Sequence, residues 1–352
     1  MFWKFEMARF TFEVCKQDQV ADLVKYIDEH WAKNHILVTS RELLDWQHKN
    51  LDTGDYNFVM ARHNKSGEIC GVLGFIPTSH FSAELESEKE VWLAIWKVNE
   101  GPKYIGLGLG LLNFLKREFS IKNICSIGIS QIVFPMYETL GFTVGKMNQL
   151  ALLNNTLSDY RIAKVPETFT SSIGQKNDQY KVVDIAKDQV ASVLSDSDLY
   201  TNKTQKDGQY FTTRFLEHPK FEYRFLGVYN KDKLESFLVV RVVAQSESSA
   251  MRVVDIQGDL SSIGRVTAHL HELLVAEGHE YLDIMQYGMD EESLGDAGFL
   301  QVDTDGELII PDYFQPFVQK NIPIYFARQS QESEQSFVLF KGDADQDRPN
   351  IM

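Results

Sequence analysis

A cluster of glycines at the start of an apolar helix pattern carries the clearest chemistry in this sequence. The stretch GPKYIGLGLGLLNFLKRE holds Gly101, Gly106, Gly108 and Gly110 and continues as an amphipathic helix pattern. N–H groups in the first turn of a helix lack partners within the helix, and glycine lets a bulky anion approach them. The cluster is compatible with a phosphate cradle, with close backbone packing or with a simple turn.

Two glycine-based nucleotide motifs do not match this stretch. A dinucleotide site needs G-x-G-x-x-G directly after a strand and an acidic residue at the end of the next strand. Here the glycines are Gly106, Gly108 and Gly110, and the loop starts several residues after the apolar strand predicted at 90–98. The next predicted strand, at 123–130, ends in Ser130. A P-loop also fails, because no Gly-Lys-Ser/Thr follows. A helix start that binds a pyrophosphate fits the spacing better.

One segment resembles the pyrophosphate loop of the GNAT family, the acetyl-CoA-dependent N-acyltransferases: Lys103, Tyr104, Ile105, Gly106, Leu107 and Gly108. That loop reads Arg/Gln-x-x-Gly-x-Gly/Ala at a helix start, so Lys103 keeps a donor but loses the planar geometry. MYETLGF at residues 136–142 is similar to the family's closing motif, in which Gly-Phe follows a tyrosine. The resemblance covers residues 1–155 by motif and the rest of the chain only by element order.

The resemblance implies where an acyl-CoA would bind. In this family the strand before the loop splays from its neighbour, and pantetheine bonds to amides at the end of that strand. The implied cofactor-binding residues are Trp96, Lys97, Val98, Lys103, Tyr104, Ile105, Gly106, Leu107, Gly108 and Leu109. Tyr137 matches the family's general acid for the departing thiolate; the alternative is a core tyrosine in a packing motif. Gly110 lies outside the motif, and we expect it to serve helix packing.

The sequence defines the catalytic base and the acceptor pocket less precisely than the acyl-CoA site. His35, His80 and Glu100 are candidates for the catalytic base, and for each the alternative is a solvated loop residue. The early helices roof the site in this family, so His35 and Trp46 are expected to line the acceptor pocket, although an amphipathic helix face explains Trp46 equally well. Two polar residues of the second half are expected to face a cleft or, alternatively, to be structural: Asp255 and Tyr287.

Both halves of the sequence show one order of elements: hairpin, strand, helix, strand, short helix and Gly-Phe. The first hairpin surrounds NKSG at 64–67 and the second surrounds NKDK at 230–233. We interpret this order as an internal duplication; the alternative is coincidence among mixed α/β elements. In the second half Leu294 stands where Tyr137 stands in the first, and the loop equivalent offers only Gly264, which indicates a degenerate repeat.

The predicted fold is α/β, with tandem GNAT-like domains. Each domain is expected to be a mixed, mostly antiparallel sheet with a splayed central strand pair flanked by helices. The predicted divisions are a GNAT acyltransferase domain at 1–155, a linker at 156–180, a degenerate GNAT-like domain at 181–330, and a C-terminal strand with a polar tail at 331–352. Residues 142–153 are predicted to form the final strand of the first domain.

Composition restricts the partners. The net charge of −15 divides into −2 for residues 1–155 and −13 for the remainder, and such acidity disfavours nucleic acid. The three cysteines lie in apolar patterns, so we expect buried thiols and no metal site. No apolar stretch approaches the length of a membrane span and no signal segment is evident, so a cytoplasmic protein without membrane contact is expected.

The sequence predicts an acetyl-CoA-dependent N-acetyltransferase acting on a small amine. An amino sugar or amino-sugar nucleotide of surface polysaccharide synthesis is the preferred acceptor, because an amine of low pKa is easily deprotonated. The acidic second half instead favours a polyamine, an aminoglycoside or a peptide amine. A non-catalytic CoA-binding module is the alternative from another class, and an aminoacyl-tRNA-dependent transferase is disfavoured because it needs a basic surface. The oligomeric state and the acyl group stay open.

Overall fold

The computed structural model describes residues 9–167, 172–195, 199, 206–245, 247–311, 318–331 and 337–344. The chain divides into two compact units. The first unit contains residues 1–127, 135–143 and 327–333, and the second contains 128–134, 144–326 and 334–352. Among the described helices, none is long and apolar enough to cross a membrane.

The first sheet has seven strands in the order β1-β2-β3-β4-β5-β14-β6. The first four strands are antiparallel neighbours, and β4 and β5 run parallel. The bounds are β1 Phe10–Cys15, β2 Tyr56–His63, β3 Ile69–Pro77, β4 Glu90–Val98, β5 Asn123–Ile129, β6 Thr143–Lys146 and β14 Tyr325–Ser330.

Helices cover this sheet because their apolar residues repeat at helical spacing. In α1 (Val20–His30) and α3 (Arg41–His48), buried leucines and isoleucines join a core with Phe58 and Met60 of β2. Ser40 caps α3, with its Oγ accepting from the Leu43 N–H. The remaining helices here are α2 Ile36–Thr39, α4 Leu107–Glu118 and α5 Phe134–Thr139.

The central strands of the first sheet separate after a short contact. β4 and β5 pair at only three positions, from Glu90 opposite Asn123 to Trp92 opposite Cys125. The register of β4 against β3 then shifts between Leu93 and Trp96, where two residues of β4 oppose one of β3. Such a bulge bends a strand and raises its twist, so β4 leaves β5 and a gap opens between them.

The second sheet has eight strands, ordered β13-β7-β12-β11-β10-β9-β8 with β15 also paired to β12. Its strands are β7 Asn148–Leu153, β8 Tyr180–Ile185, β9 Arg224–Asn230, β10 Lys233–Gln245, β11 Ser248–Gly258, β12 Tyr281–Tyr287, β13 Leu300–Val302 and β15 Leu339–Phe340. Its helices are α6 Lys187–Ser195, α7 Gly208–Phe211, α8 Ser262–Arg265, α9 Thr267–Glu277 and α10 Glu291–Asp296, and a π-helical turn covers Thr212–Leu216.

The second sheet repeats the separation seen in the first. β11 and β12 are parallel and pair at three positions, from Met251 opposite Leu282 to Val253 opposite Ile284. A register shift in β11 follows at once, between Val253 and Asp255. Beyond it, β12 pairs with β15 at Gln286 and Tyr287. The predicted class, two mixed and mostly antiparallel sheets with a splayed central pair and flanking helices, is confirmed.

The predicted final strand at 142–153 is instead two strands in different sheets. β6 belongs to the first sheet, whereas β7 lies between β13 and β12 of the second, and β14 from near the end of the chain joins the first. The compact units therefore divide the chain at other positions than the predicted linker at 156–180. The assignment of an active and a degenerate domain stays a prediction. Residues 168–171 of the predicted linker, and residues 332–336 and 345–352 of the predicted C-terminal segment, lie outside the described residues.

Candidate active site

The glycine stretch forms the start of α4. A short 3₁₀ turn at Pro102–Tyr104 leads into Gly106, whose φ of +82° is a left-handed conformation that glycine adopts without strain. No side chain caps this end, and among the described residues no carbonyl accepts from the N–H groups of Leu107, Gly108 or Leu109. The first turn therefore presents three backbone donors, as a pyrophosphate cradle requires.

The strand end that enters this loop is fixed by a contact that the sequence does not reveal. The Asn99 N–H donates to the Cys70 carbonyl at 2.9 Å, and the Asn99 Oδ1 accepts from the Tyr26 hydroxyl at 2.8 Å. Tyr26 lies on α1, 73 positions earlier in the chain, so no local spacing indicates the pair. Together these bonds hold the end of β4 where the loop begins.

Trp96 connects the glycine loop to the predicted acid. It lies on β4 just after the bulge, and a Cβ added to Gly108 would be 3.3 Å from its indole Nε1. On its other side, the indole meets the Tyr137 ring edge to face at 6.0 Å. The loop, the separated strand and α5 thus meet around one indole, and Gly108 has room for no larger side chain without displacement of Trp96.

Tyr137 is buried beside the point where β4 and β5 part. Its ring packs against Phe142 at 5.1 Å, and its hydroxyl bonds to the side chain of Ser126, the β5 residue that follows the last paired position. Burial raises the pKa of Tyr137 to about 12, only partly offset by the Ser126 bond. The phenol therefore keeps its proton at neutral pH.

The other predicted cofactor residues lie around this point. Lys97 and Val98 are half-buried at the end of β4, and Leu109 is half-buried in α4. Ile105 is exposed and Leu107 is buried under the helix. Lys103 is exposed, with its Nζ 4.7 Å from the Tyr104 ring centre, and the hydrogen bond that Lys103 donates to Tyr104 raises the pKa of Lys103.

Two solved structures share this architecture. A GCN5-related N-acetyltransferase from Anabaena variabilis ATCC 29413 superposes with a TM-score of 0.56 at 11% identity, covering 92% of this chain and 73% of that chain. A probable N-acyltransferase from Enterococcus faecalis V583 gives 0.52 at 7% identity, covering 91% of this chain and 72% of that one. This chain has the GNAT fold. No family model matches the sequence, and no curated protein does.

The three candidate bases lie on different elements of the first unit. His80 lies near the paired end of β4, with its Nε2 2.7 Å from the Trp46 carbonyl oxygen. Glu100 follows β4 on the loop side and is exposed, 3.7 Å from the Lys97 ammonium. His35 caps α2, with its Nδ1 accepting from the Leu37 N–H at 3.3 Å. The assignment of a catalytic base among these three side chains stays a prediction.

The predicted acceptor residues have structural partners of their own. Trp46 packs on the core beneath α3 and lies 5.3 Å from Phe81, ring centre to ring centre. Tyr287, on β12 of the second unit, stacks against Phe326 and Phe337 at 4.6 and 5.2 Å. Their assignment to acceptor binding stays a prediction.

Asp255 is buried in an ion cluster of the second unit. Its carboxylate accepts from the Lys206 ammonium at 2.7 and 2.8 Å, and Asp343 also pairs with that ammonium. Burial raises the pKa of Asp255 to about 7, and Lys206 opposes that shift. No group of three or more metal-ligating side chains occurs within the described ranges.

Proposed function

We propose that this chain is an acetyl-CoA-dependent N-acetyltransferase that transfers the acyl group directly to a small amine. The observation that carries the proposal is the convergence of three features in one unit: uncapped donors at the start of α4, the gap between β4 and β5, and the Tyr137 hydroxyl at its apex. The GNAT fold supports the chemistry but does not by itself assign it.

The pyrophosphate would lie on the N–H groups of Leu107, Gly108 and Leu109, where the helix dipole also favours negative charge. Lys103 is exposed beside this site and supplies a positive charge. The pantetheine arm would then run along β4, whose amides beyond Trp92 have no β5 partner in the register. This path ends at the apex of the gap, beside Tyr137 and Ser126.

The chemistry assigned to Tyr137 follows from its raised pKa. A thiol of ordinary pKa, about 8.5, forms a thiolate that is a weaker base than the Tyr137 phenolate. Full proton transfer from a phenol of pKa about 12 would then be uphill by about 5 kcal/mol. We therefore assign Tyr137 the role of a neutral hydrogen-bond donor that stabilises the sulfur as the amine nitrogen bonds to the acyl carbon and the C–S bond breaks. The proton that the attacking nitrogen loses neutralises the departing thiolate to the CoA thiol. This assignment narrows the general-acid role inferred from sequence.

The acceptor must react as a free amine, because an ammonium ion has no lone pair with which to attack the thioester. An amine with a pKa near 10.4 costs about 4.6 kcal/mol to deprotonate at pH 7, whereas a sugar-ring amine costs much less. This supports an amino sugar or amino-sugar nucleotide as the acceptor. The net charge of −13 outside residues 1–155 instead supports a cationic polyamine, aminoglycoside or peptide amine.

The deciding experiment measures release of CoA thiol from acetyl-CoA against a panel of these amines. Tyr137→Phe should lower kcat about 100-fold with the KM for acetyl-CoA within about threefold, because the hydroxyl acts mainly on the departing sulfur. Tyr160→Phe is the matched control, since Tyr160 lies in the second unit and bonds the Asn154 carbonyl. Unchanged turnover in Tyr137→Phe would remove the role of that hydroxyl.

The alternative, a non-catalytic CoA-binding module, makes a different prediction. If acetyl-CoA raises the melting temperature but no amine releases thiol, binding without transfer is the better description. If neither occurs, the proposal fails altogether.

A further inference from the structure

A second site rich in positive charge lies at the far end of α4. A cavity of about 500 Å³, here called the basic cavity, lies among the last turn of α4, residues 120–124 and the end of β14. Its lining includes three cations and four neutral polar side chains: Lys116, Arg117, Lys122, Asn113, Ser120, Gln329 and Gln331. No aspartate or glutamate contributes to the lining.

Lys116 enters this cavity without a carboxylate partner. Its Nζ donates to the Gln329 Oε1 and lies 5.4 Å from the centre of the Phe142 ring, and both partners are neutral. Partial burial lowers the pKa of Lys116, and no charged group within the described residues offsets that effect. A half-buried ammonium of this kind gains most from an anion that enters the cavity.

The other two cations are also without ion pairs in the described part of the chain. Lys122 donates to the Ser87 carbonyl at 3.2 Å, and Arg117 lies over the Phe114 ring. Elsewhere in this acidic chain, exposed cations form ion pairs with carboxylates, as Lys16 does with Asp55 and Lys181 does with Asp232. The basic cavity is thus a local reversal of the overall charge of −15.

This cavity is separate from the glycine loop. α4 rises about 1.5 Å per residue, so Lys116 lies about 14 Å along the helix from Leu107. Cations near a helix C-terminus are favourable for the helix dipole, which accounts for Lys116 and Arg117 as isolated residues. It does not account for Lys122, which follows the helix, or for a cavity that collects all three.

We propose that the basic cavity binds a small phosphorylated molecule at a site distinct from the acyl-donor site. A phosphate or pyrophosphate group carries two or more negative charges, which matches three cations with no carboxylate among the lining side chains. The Ser120 hydroxyl adds a neutral donor. A single carboxylate ligand would leave at least two of the cations unpaired.

Inorganic pyrophosphate, titrated calorimetrically at low ionic strength, tests this site. Gly108→Val serves as the background, because it blocks pyrophosphate binding at the glycine loop while leaving the basic cavity intact. That chain should still bind one pyrophosphate, and adding Lys116→Gln and Lys122→Gln should weaken binding at least tenfold. The matched control is Lys25→Gln with Lys33→Gln, two exposed lysines of the same unit, which should leave affinity within about twofold.

Two results would overturn the proposal. One is the absence of pyrophosphate binding in the folded Gly108→Val chain. The other is equal pyrophosphate affinity with and without the two cavity lysines, together with a lower melting temperature of the variant. A role of the lysines in helix stability alone would change the melting temperature but not the affinity. If the double variant does not fold, the exposed Lys122→Gln alone should weaken binding about threefold, and no change would count against the site.

Discussion

In the first sheet, the parallel strands part after Trp92 and Cys125; in the second, they part after Val253 and Ile284. In both, three paired positions are followed by a bulge in the earlier strand. The first residue paired beyond the bulge is Trp96 in one sheet and Asp255 in the other. The backbone therefore has the same arrangement at both points of separation. The two sheets differ in the side chains and chain segments that lie there.

The second gap is closed by the chain itself. β15 pairs with β12 just beyond the point of separation, and a Cβ added to Gly342 would lie only 2.6 Å from the Val254 carbonyl oxygen of β11. The backbone after β15 therefore runs against β11 where the first sheet leaves its amides free. Both sheets thus have parted parallel strands, but within the described residues β15 and the turn after it line the gap of the second sheet.

Buried charges hold that closing segment in place. Lys206 bridges Asp255 of β11 and Asp343 of the segment, and the Arg214 Nη2 donates to the Ala344 carbonyl at 2.7 Å. Only 0–7% of each side chain in the Lys206 cluster is exposed. Water therefore does not solvate these charges, and each is neutralised by the others. Where the first sheet has an indole and a tyrosine hydroxyl, the second has an ion cluster.

The largest expected effect comes from cutting the chain where the two halves of the sequence divide. A fragment of residues 1–155 lacks β14, which separates β5 from β6, and leaves β7 without β12 and β13. We expect it to show no cooperative urea unfolding and to aggregate through its unpaired strands. Co-expression with residues 156–352 should restore folding. A cooperative transition of the fragment alone would show that the first sheet tolerates the loss of β14.

Lys206→Met should destabilise the closed gap. Removing the bridging cation leaves two buried carboxylates uncompensated, and we expect the free energy of unfolding to fall by about 3–5 kcal/mol. Urea denaturation measures this directly. Lys181→Met removes a cation from an exposed pair with Asp232 and should cost less than about 1 kcal/mol. Equal effects from the two variants would contradict the role of the buried cluster.

Acetyl-CoA should bind with a stoichiometry of one per chain, because β15 and the turn after it occupy the gap of the second sheet. Gly108→Val places a branched side chain against Trp96 and beside the loop donors, and should weaken binding at least 100-fold by calorimetry. Gly110→Ala, at a buried position of the same helix, should change affinity less than threefold. The reverse order of effects would mean that the loop register is wrong, and two sites per chain would mean that the second gap opens.

The smallest expected effect is on the pH dependence of stability. Burial raises the pKa of Asp255 from 3.8 to about 7 in the folded chain. Between those values the folded state binds a proton that the unfolded state has lost, so this group lowers stability as pH rises from about 4 to 7. Asp255→Asn should therefore shift the slope of unfolding free energy against pH toward positive values in that window. An unchanged slope would mean that the pKa of Asp255 is not raised in the folded chain.

The sequence predicts local features well and long-range pairing poorly. Glycine spacing and apolar periodicity were enough to locate α4, β4 and the short helix that carries Tyr137. The run Asn148–Leu153 indicates a buried strand, but nothing in an apolar run says which sheet it joins. Similarly, Tyr26 contacts Asn99 and Lys206 contacts Asp255 although the partners are far apart in the sequence, so no local spacing predicts either pair. β15 has only two residues and carries no periodicity at all.

The position of β14 in the first sheet also bears on how the chain is made. Its residues, Tyr325–Ser330, lie between two strands that end by Lys146, so a ribosome synthesises the whole second sheet up to β13 before the first can be completed. Long-range pairing of this kind slows folding, because a large loop must close before its contacts form. During synthesis, the edge of β5 stays unpaired until β14 has been made, and an unpaired strand edge of this kind favours aggregation.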